Sequence, residues 1–435
     1  MMNSTARSLP PRRLDGLEIT EHFLEVPLDH AHPAETITIF ARELVTAEHA
    51  HDELPYLLWF QGGPGNRADR PTGVSGWLER ALEDYRVILL DQRGTGLSTP
   101  LSRESIPPGL SAEELADHAA QFRADEIIAD AEALRRHLRI DSWSLLGQSY
   151  GGFLAVSYLS RHPESLQGVM ITAGLPTLSG DPDEVYRRTF PAAAARSDEF
   201  FATFPGTAER IWEIVEHLDA VDEFLPDGEL LTVERLQTLG IQLGTDTGFR
   251  TLNYQLETAF IDTPDGRRLR DVFLREVQDA VSFAKRPLYA LLHESIYSRG
   301  RPTRFSAERV RAEFPEFDPH RRRADGPFRF TGEMIFPWQF DQDPALVPFA
   351  GAAAALAERE GLADPFDDQA LRENAVPVAA AVFADDMFVP QETSLATAEM
   401  IGGLDVQLSD EYHHDGIRRD GYAIVSRLLA SVRDR

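Results

Sequence analysis

Residues 147–152 read Gly147-Gln148-Ser149-Tyr150-Gly151-Gly152. The stretch contains G-x-S-x-G. It follows a short apolar run at residues 142–146 and precedes a helix-like run at residues 150–160. A serine on a sharp strand-to-helix turn has a strained backbone and a hydroxyl lifted into the open. The flanking glycines leave room where side chains would strike the adjacent strand and helix. The start of the following helix also sets a backbone N–H beside any negative charge that develops there. Ser149 is therefore the candidate nucleophile.

Working outward, the same rhythm continues on both sides. Residues 56–60 and 86–90 are short apolar runs, each followed at once by a glycine-rich turn. Such runs fit buried parallel strands. Residues 124–138 place Ile127, Ile128, Ala131, Leu134 and Leu138 at helical spacing. Residues 166–173 read as the next strand. Upstream, residues 18–28 and 35–45 alternate with period two, as a half-buried antiparallel pair would. Strand, helix, strand in repetition predicts an α/β fold with a doubly wound, mostly parallel sheet. From about Pro176 the alternation stops, and residues 176–370 read mostly as helices. The strand pattern resumes at residues 376–384, with a shorter strand at 405–408 and a closing helix at 420–433. The predicted division is a core of residues 1–175 and 371–435, interrupted by a helical insertion at 176–370.

Composition narrows the function classes. Apolar residues make up 43% of the 435, enough for a sizeable core. There is no cysteine, which excludes a disulfide framework, a thiolate metal site and a cysteine nucleophile together. A formal net charge of −28 repels phosphate backbones and argues against nucleic acid as a partner. Lys285 is the single lysine, every other basic residue being arginine. No apolar run is long enough to span a bilayer, and residues 1–16 lack the apolar stretch of a secretory signal. The expectation is a soluble, cytoplasmic protein whose first dozen residues are poorly ordered. No metal cluster or nucleotide loop is apparent, so no cofactor is expected.

A serine hydroxyl needs a base, usually histidine, oriented by a carboxylate. On a sheet of this kind the chain order is serine, carboxylate, histidine. Residues 378–384 run into Asp385-Asp386, and only His413 and His414 of the 13 histidines lie downstream of that pair. The residues alone leave either member of each pair open. A second turn, Gln61-Gly62-Gly63-Pro64-Gly65, directly follows a predicted strand. Its glycines allow close backbone approach to a substrate. The N–H groups of Gly63 (or Gly62) and Tyr150 are the expected oxyanion hole. A third turn, Asp91-Gln92-Arg93-Gly94-Thr95-Gly96, reads as a brace rather than a participant.

GGPG after one strand, DQRGTGLS after the next and GQSYGG at the serine together resemble the proline iminopeptidases (prolyl aminopeptidases) of the α/β-hydrolase superfamily. The resemblance runs through residues 18–175 and 376–435, and the insertion resembles the family's helical cap in position and character. It implies Ser149 as nucleophile. The family's aspartate precedes a proline by four residues, as Asp386 precedes Pro390, and its histidine lies a little under thirty residues on, as His414 does. The family usually has histidine before GGPG, where this chain has Gln61. The implied activity is release of an N-terminal proline from small peptides through an acyl-enzyme, with no metal. Cap glutamates bind the substrate amine in the family, and Glu294 and Glu333 are the candidates here. Trp338, with Phe336 and Tyr297, is the candidate wall of the ring slot. The alternatives are an esterase or amidase on the same triad and, in another class, a non-catalytic ligand-binding protein on a hydrolase fold.

Overall fold

The computed structural model describes residues 6–434. Ten strands form one sheet: β1 (Arg7–Ser8), β2 (Arg12–Leu14), β3 (Leu17–Pro27), β4 (Thr36–Thr46), β5 (Tyr56–Phe60), β6 (Arg86–Asp91), β7 (Trp143–Gln148), β8 (Leu166–Thr172) and, after a small separate hairpin of β9 (Phe260–Thr263) and β10 (Gly266–Leu269), β11 (Val378–Phe383) and β12 (Leu404–Ser409). Spatial order is β1-β3-β4-β6-β5-β7-β8-β11-β12, with β2 also on β3. From β6 to β12 all neighbours are parallel; β4 joins β6 antiparallel. The sheet is the doubly wound, mostly parallel one of an α/β-hydrolase.

Both faces of the parallel strands are covered, which is why the strands read as unbroken apolar runs. Side chains alternate between the faces. Leu57 and Trp59 join Leu89, Leu146 and Phe383 against the helices Gly76–Leu82 and Gly416–Arg433. Leu58 and Phe60 join Ile88, Leu145 and Ile171 against the helices Ala124–His137 and Tyr150–Arg161. The last helix breaks at Asp420 (φ −141°, ψ 50°), so its regular part begins where the apolar period begins.

Two local readings change. Residues 7–14 are not loose, because β1 and β2 pair with β3 and use its otherwise open edge; residues 1–5 lie outside the described part. Within 176–370, the expected helices, such as Pro182–Thr203, Pro205–Ala220 and Asp271–Val281, are accompanied by the β9–β10 hairpin. Its turn is Pro264-Asp265-Gly266, a strong turn sequence inside a segment read for its helical bulk. Among the described residues no helix is long and apolar enough to cross a membrane.

Candidate active site

Ser149 follows directly on β7 and precedes the helix Tyr150–Arg161, with φ 57° and ψ −128°. A non-glycine residue there is strained and persists only where the surroundings hold it. They do so by close packing of backbone on backbone. A Cβ on Gly151 would lie 2.0 Å from the Phe60 carbonyl oxygen, and one on Gly147 would lie 2.2 Å from that of Gly151. The glycines at this turn are thus a steric requirement.

Sheet order then closes large sequence gaps. β11 lies beside β8, which lies beside β7, so the residues after β11 and β12 arrive at the same edge as Ser149. That edge, at the carboxyl ends of parallel strands, is where such sheets form their crevice. The Ser149 hydroxyl lies 2.9 Å from His414 Nε2, and His414 Nδ1 lies 2.8 Å from Asp386 Oδ2. A carboxylate can only accept, so Nδ1 carries the proton and Nε2 is free to accept from Ser149. The other Asp386 oxygen accepts from the backbone N–H of Phe388 (2.9 Å) and Val389 (3.0 Å). All three side chains are buried. Burial alone disfavours an imidazolium, but the carboxylates of Asp386, Glu333 and Asp415 outweigh it and hold His414 above its ordinary pKa. Asp385 is exposed, and His413 is half-buried with no partner for its ring Nδ1 among the described residues.

Residues between β8 and β11 also reach this edge. The His414 N–H donates to the Gly244 carbonyl at 3.2 Å, and the Asp246 N–H donates to Asp415 at 2.8 Å. A cleft of about 390 Å³ is lined by Ser149, His414, Gly62, Gly63, Tyr289 and Glu333, among others. Gly62 approaches so closely that a Cβ there would lie 3.1 Å from the Ser149 Cβ. Tyr150 opens the helix beside the serine. Gln61, in place of the family's histidine, takes the Trp59 indole N–H at 3.0 Å.

The remaining candidates separate. Glu333 is on the cleft wall, half-buried, and accepts from the Tyr289 hydroxyl at 2.6 Å. Glu294 is not on that wall. Its two oxygens accept from the backbone N–H groups of Ser306 (2.9 Å) and Ala307 (2.8 Å), where the helix Ser306–Arg311 begins. Burial pushes its carboxyl up to about 7 against these bonds. The amine role expected for Glu294 therefore conflicts with its engagement as a helix cap. We expect Glu294→Gln to lower unfolding free energy by about 1–3 kcal/mol, because one buried N–H would lose its acceptor. Denaturant unfolding checks this; a selective loss on free-amine substrates at unchanged stability would contradict it. Trp338 also lies off the cleft. It stacks on Phe336 with ring centroids 6.0 Å apart, beside Arg235. Tyr297 is buried between Phe153, Tyr186 and His293.

Tyr289 was missed in the sequence, although Tyr289, His293 and Tyr297 recur every four residues. Their rings follow one another at 4.9 and 5.5 Å. The Asp91–Gly96 turn is a brace as read. Arg93 is buried on Asp130 and on the carbonyls of Leu28 and Gln121, and Asp91 takes Arg70 and the N–H groups of Ala68 and Leu97.

Residues 55–215 match the α/β-hydrolase fold family model. A proline iminopeptidase of Aeromonas sobria is 45% identical over 425 residues, covering 97% of this chain and 98% of its own. A proline iminopeptidase of Aspergillus aculeatus is 32% identical over 425 residues, covering 96% and 94%. Identity of that extent includes the segment between the two parts of the sheet, which the family model does not wholly reach. The chain therefore belongs to the proline iminopeptidase family of serine hydrolases with the α/β-hydrolase fold.

Proposed function

We propose that this chain releases N-terminal proline from small peptides, with Ser149 as nucleophile, His414 as base and Asp386 orienting it. The observation that carries the specificity is Glu333, a carboxylate in the same cleft as the Ser149–His414 pair. In this reading residues 1–175 and 371–435 are the catalytic core and 176–370 the cap that supplies the amine site.

The steps follow from the protonation pattern. The Ser149 oxygen attacks the carbonyl carbon of the first residue as its proton moves to His414 Nε2. The oxyanion faces the N–H groups of Gly63 (or Gly62) and Tyr150. Nδ1 stays protonated on Asp386, which stabilises the imidazolium. The C–N bond breaks as the leaving amine takes the Nε2 proton. Water, deprotonated by the same nitrogen, then splits the prolyl ester and restores Ser149. Glu333 anchors the protonated substrate amine, with the Tyr289 hydroxyl fixing one of its oxygens.

The test compares Pro-naphthylamide with its N-acetyl derivative. We expect only the free amine to be cleaved, since an acetyl group leaves Glu333 unpaired. Glu333→Gln should lower kcat/KM for the free amine by about 1.5–3 kcal/mol, roughly ten- to a hundred-fold, while simple acyl esters lose much less. The same change removes one of the charges that raise His414. Only the neutral imidazole accepts the serine proton, so activity is lost as pH falls through its pKa. The acid limb should therefore move to lower pH in Glu333→Gln. Equal cleavage of the acetylated substrate would replace the aminopeptidase reading with an esterase or amidase on the same triad.

A further inference from the structure

Beside the Ser149 cleft lies a second cavity, of about 460 Å³. The two share Gln61, Asn66, Arg286 and Arg418, so a chain bound at Ser149 can continue from one to the other. Its charge runs against that of the molecule. Four cations, Arg67, Lys285, Arg286 and Arg418, line it against two carboxylates, Asp69 and Asp279, in a protein of net charge −28. The lone lysine of the sequence is one of the four. Arg418 lies 3.6 Å from Asp69. Lys285 and Arg286 have no ion pair and no side-chain hydrogen bond with any described residue.

For a half-buried guanidinium such as that of Arg286, the lack of any polar partner among the described residues leaves donors open to a ligand. Many half-buried or buried arginines elsewhere, such as Arg70, Arg93, Arg135, Arg235 and Arg299, hold a carboxylate, and buried Arg123 holds the Ala363 carbonyl. Arg286 is half-buried and lies over the Tyr289 ring, 4.7 Å from its centroid. The hydroxyl of that ring carries Glu333. Tyr289 thus holds a carboxylate at its tip and a free guanidinium on its face, suited to a ligand with a cation at one end and an anion further along.

We propose that this second cavity binds a carboxylate on the leaving part of the peptide, through Arg286 and Lys285, and makes short prolyl peptides with a free C-terminal or acidic second residue the favoured substrates. The inference rests on the aminopeptidase reading. It adds a charged hydrogen bond beyond the scissile bond, where the Arg286 fork can meet both carboxylate oxygens.

The experiment measures kcat/KM for Pro-Ala, Pro-Ala-amide and Pro-Asp-amide in wild type and in K285Q/R286Q. Wild type should favour an anionic substrate over Pro-Ala-amide at least five-fold, with the preference shrinking as salt is raised. Whether Pro-Ala or Pro-Asp-amide gains more tells a terminal carboxylate from a side-chain one. In the double variant the anionic-to-neutral ratio should fall to about one, a readout that a general loss of activity does not move. Equal wild-type rates on all three would overturn the carboxylate site alone. So would an unchanged ratio in the variant, or a loss equal on all three, which would make Arg286 a partner of Glu333. Failure of wild type to release proline from any of them would overturn the aminopeptidase reading and this inference with it.

Discussion

Ser149→Ala is expected to leave a folded protein whose turnover of prolyl substrates falls by roughly four to six orders of magnitude. The large effect follows from the mechanism's first step: without the hydroxyl no acyl-enzyme can form, and water must attack the amide directly. Residual activity would reflect the oxyanion hole and binding alone. Folding should survive because alanine carries the same backbone constraint at φ 57° as serine, and the contacts that impose this turn come from Gly147, Gly151 and Phe60 backbone. Among the described residues the hydroxyl loses one hydrogen bond, the 2.9 Å bond to His414. Steady-state kinetics on Pro-naphthylamide, at matched circular dichroism, measures the loss. A fluorophosphonate should label wild type and not the variant. Retention of more than roughly a tenth of wild-type turnover would remove Ser149 from the mechanism.

The fold and the meeting of Ser149, His414 and Asp386 are legible in the sequence for a reason that Glu333 and Glu294 show by contrast. Parallel strands with both faces covered, such as β5 and β7, must be continuous apolar runs, and the turns after them must contain glycine where backbone touches backbone. Chemistry and sterics there act over five or six consecutive residues, so they leave a local signature. Asp386 and His414 are further apart, but each sits in the loop that follows a strand of the same sheet, β11 and β12 respectively. Glu333 and Glu294 have no such frame. Both are glutamates near aromatics, and only the packing of the inserted helices decides that one faces Ser149 while the other caps Ser306 and Ala307. Trp338 failed similarly: a large aromatic serves core packing against Phe336 as well as it would serve a ligand. The β1 and β2 contacts escaped because strands of two or three residues are too short to show a period, and backbone pairing to an open edge asks little of side chains.

Asp386→Asn should separate two neighbours that composition cannot. Asp386 is fixed at both oxygens: Oδ1 takes the N–H groups of Phe388 and Val389, and Oδ2 takes His414 Nδ1. Asparagine has one carbonyl oxygen and one NH2. The two backbone donors hold that oxygen on their side, because an NH2 facing them would leave both without an acceptor. The NH2 then points at His414 Nδ1 and can only donate to it. Nδ1 must give up its proton, the imidazole carries it on Nε2 instead, and Nε2 can no longer accept from Ser149. The geometry survives while the tautomer is wrong, so turnover should fall by roughly 10³- to 10⁴-fold. Asp385 is exposed, and Asp385→Asn should stay within about two-fold, as expected for a solvated carboxylate outside the relay. The histidines should divide the same way, with His414→Ala disabling turnover and His413→Ala sparing it. The measurement is kcat on Pro-naphthylamide for all four variants, with denaturant midpoints to exclude unfolding. Equal losses in Asp385→Asn and Asp386→Asn would mean that the carboxylate acts through local charge rather than through the tautomer of one imidazole, and the orienting role of Asp386 would have to be abandoned.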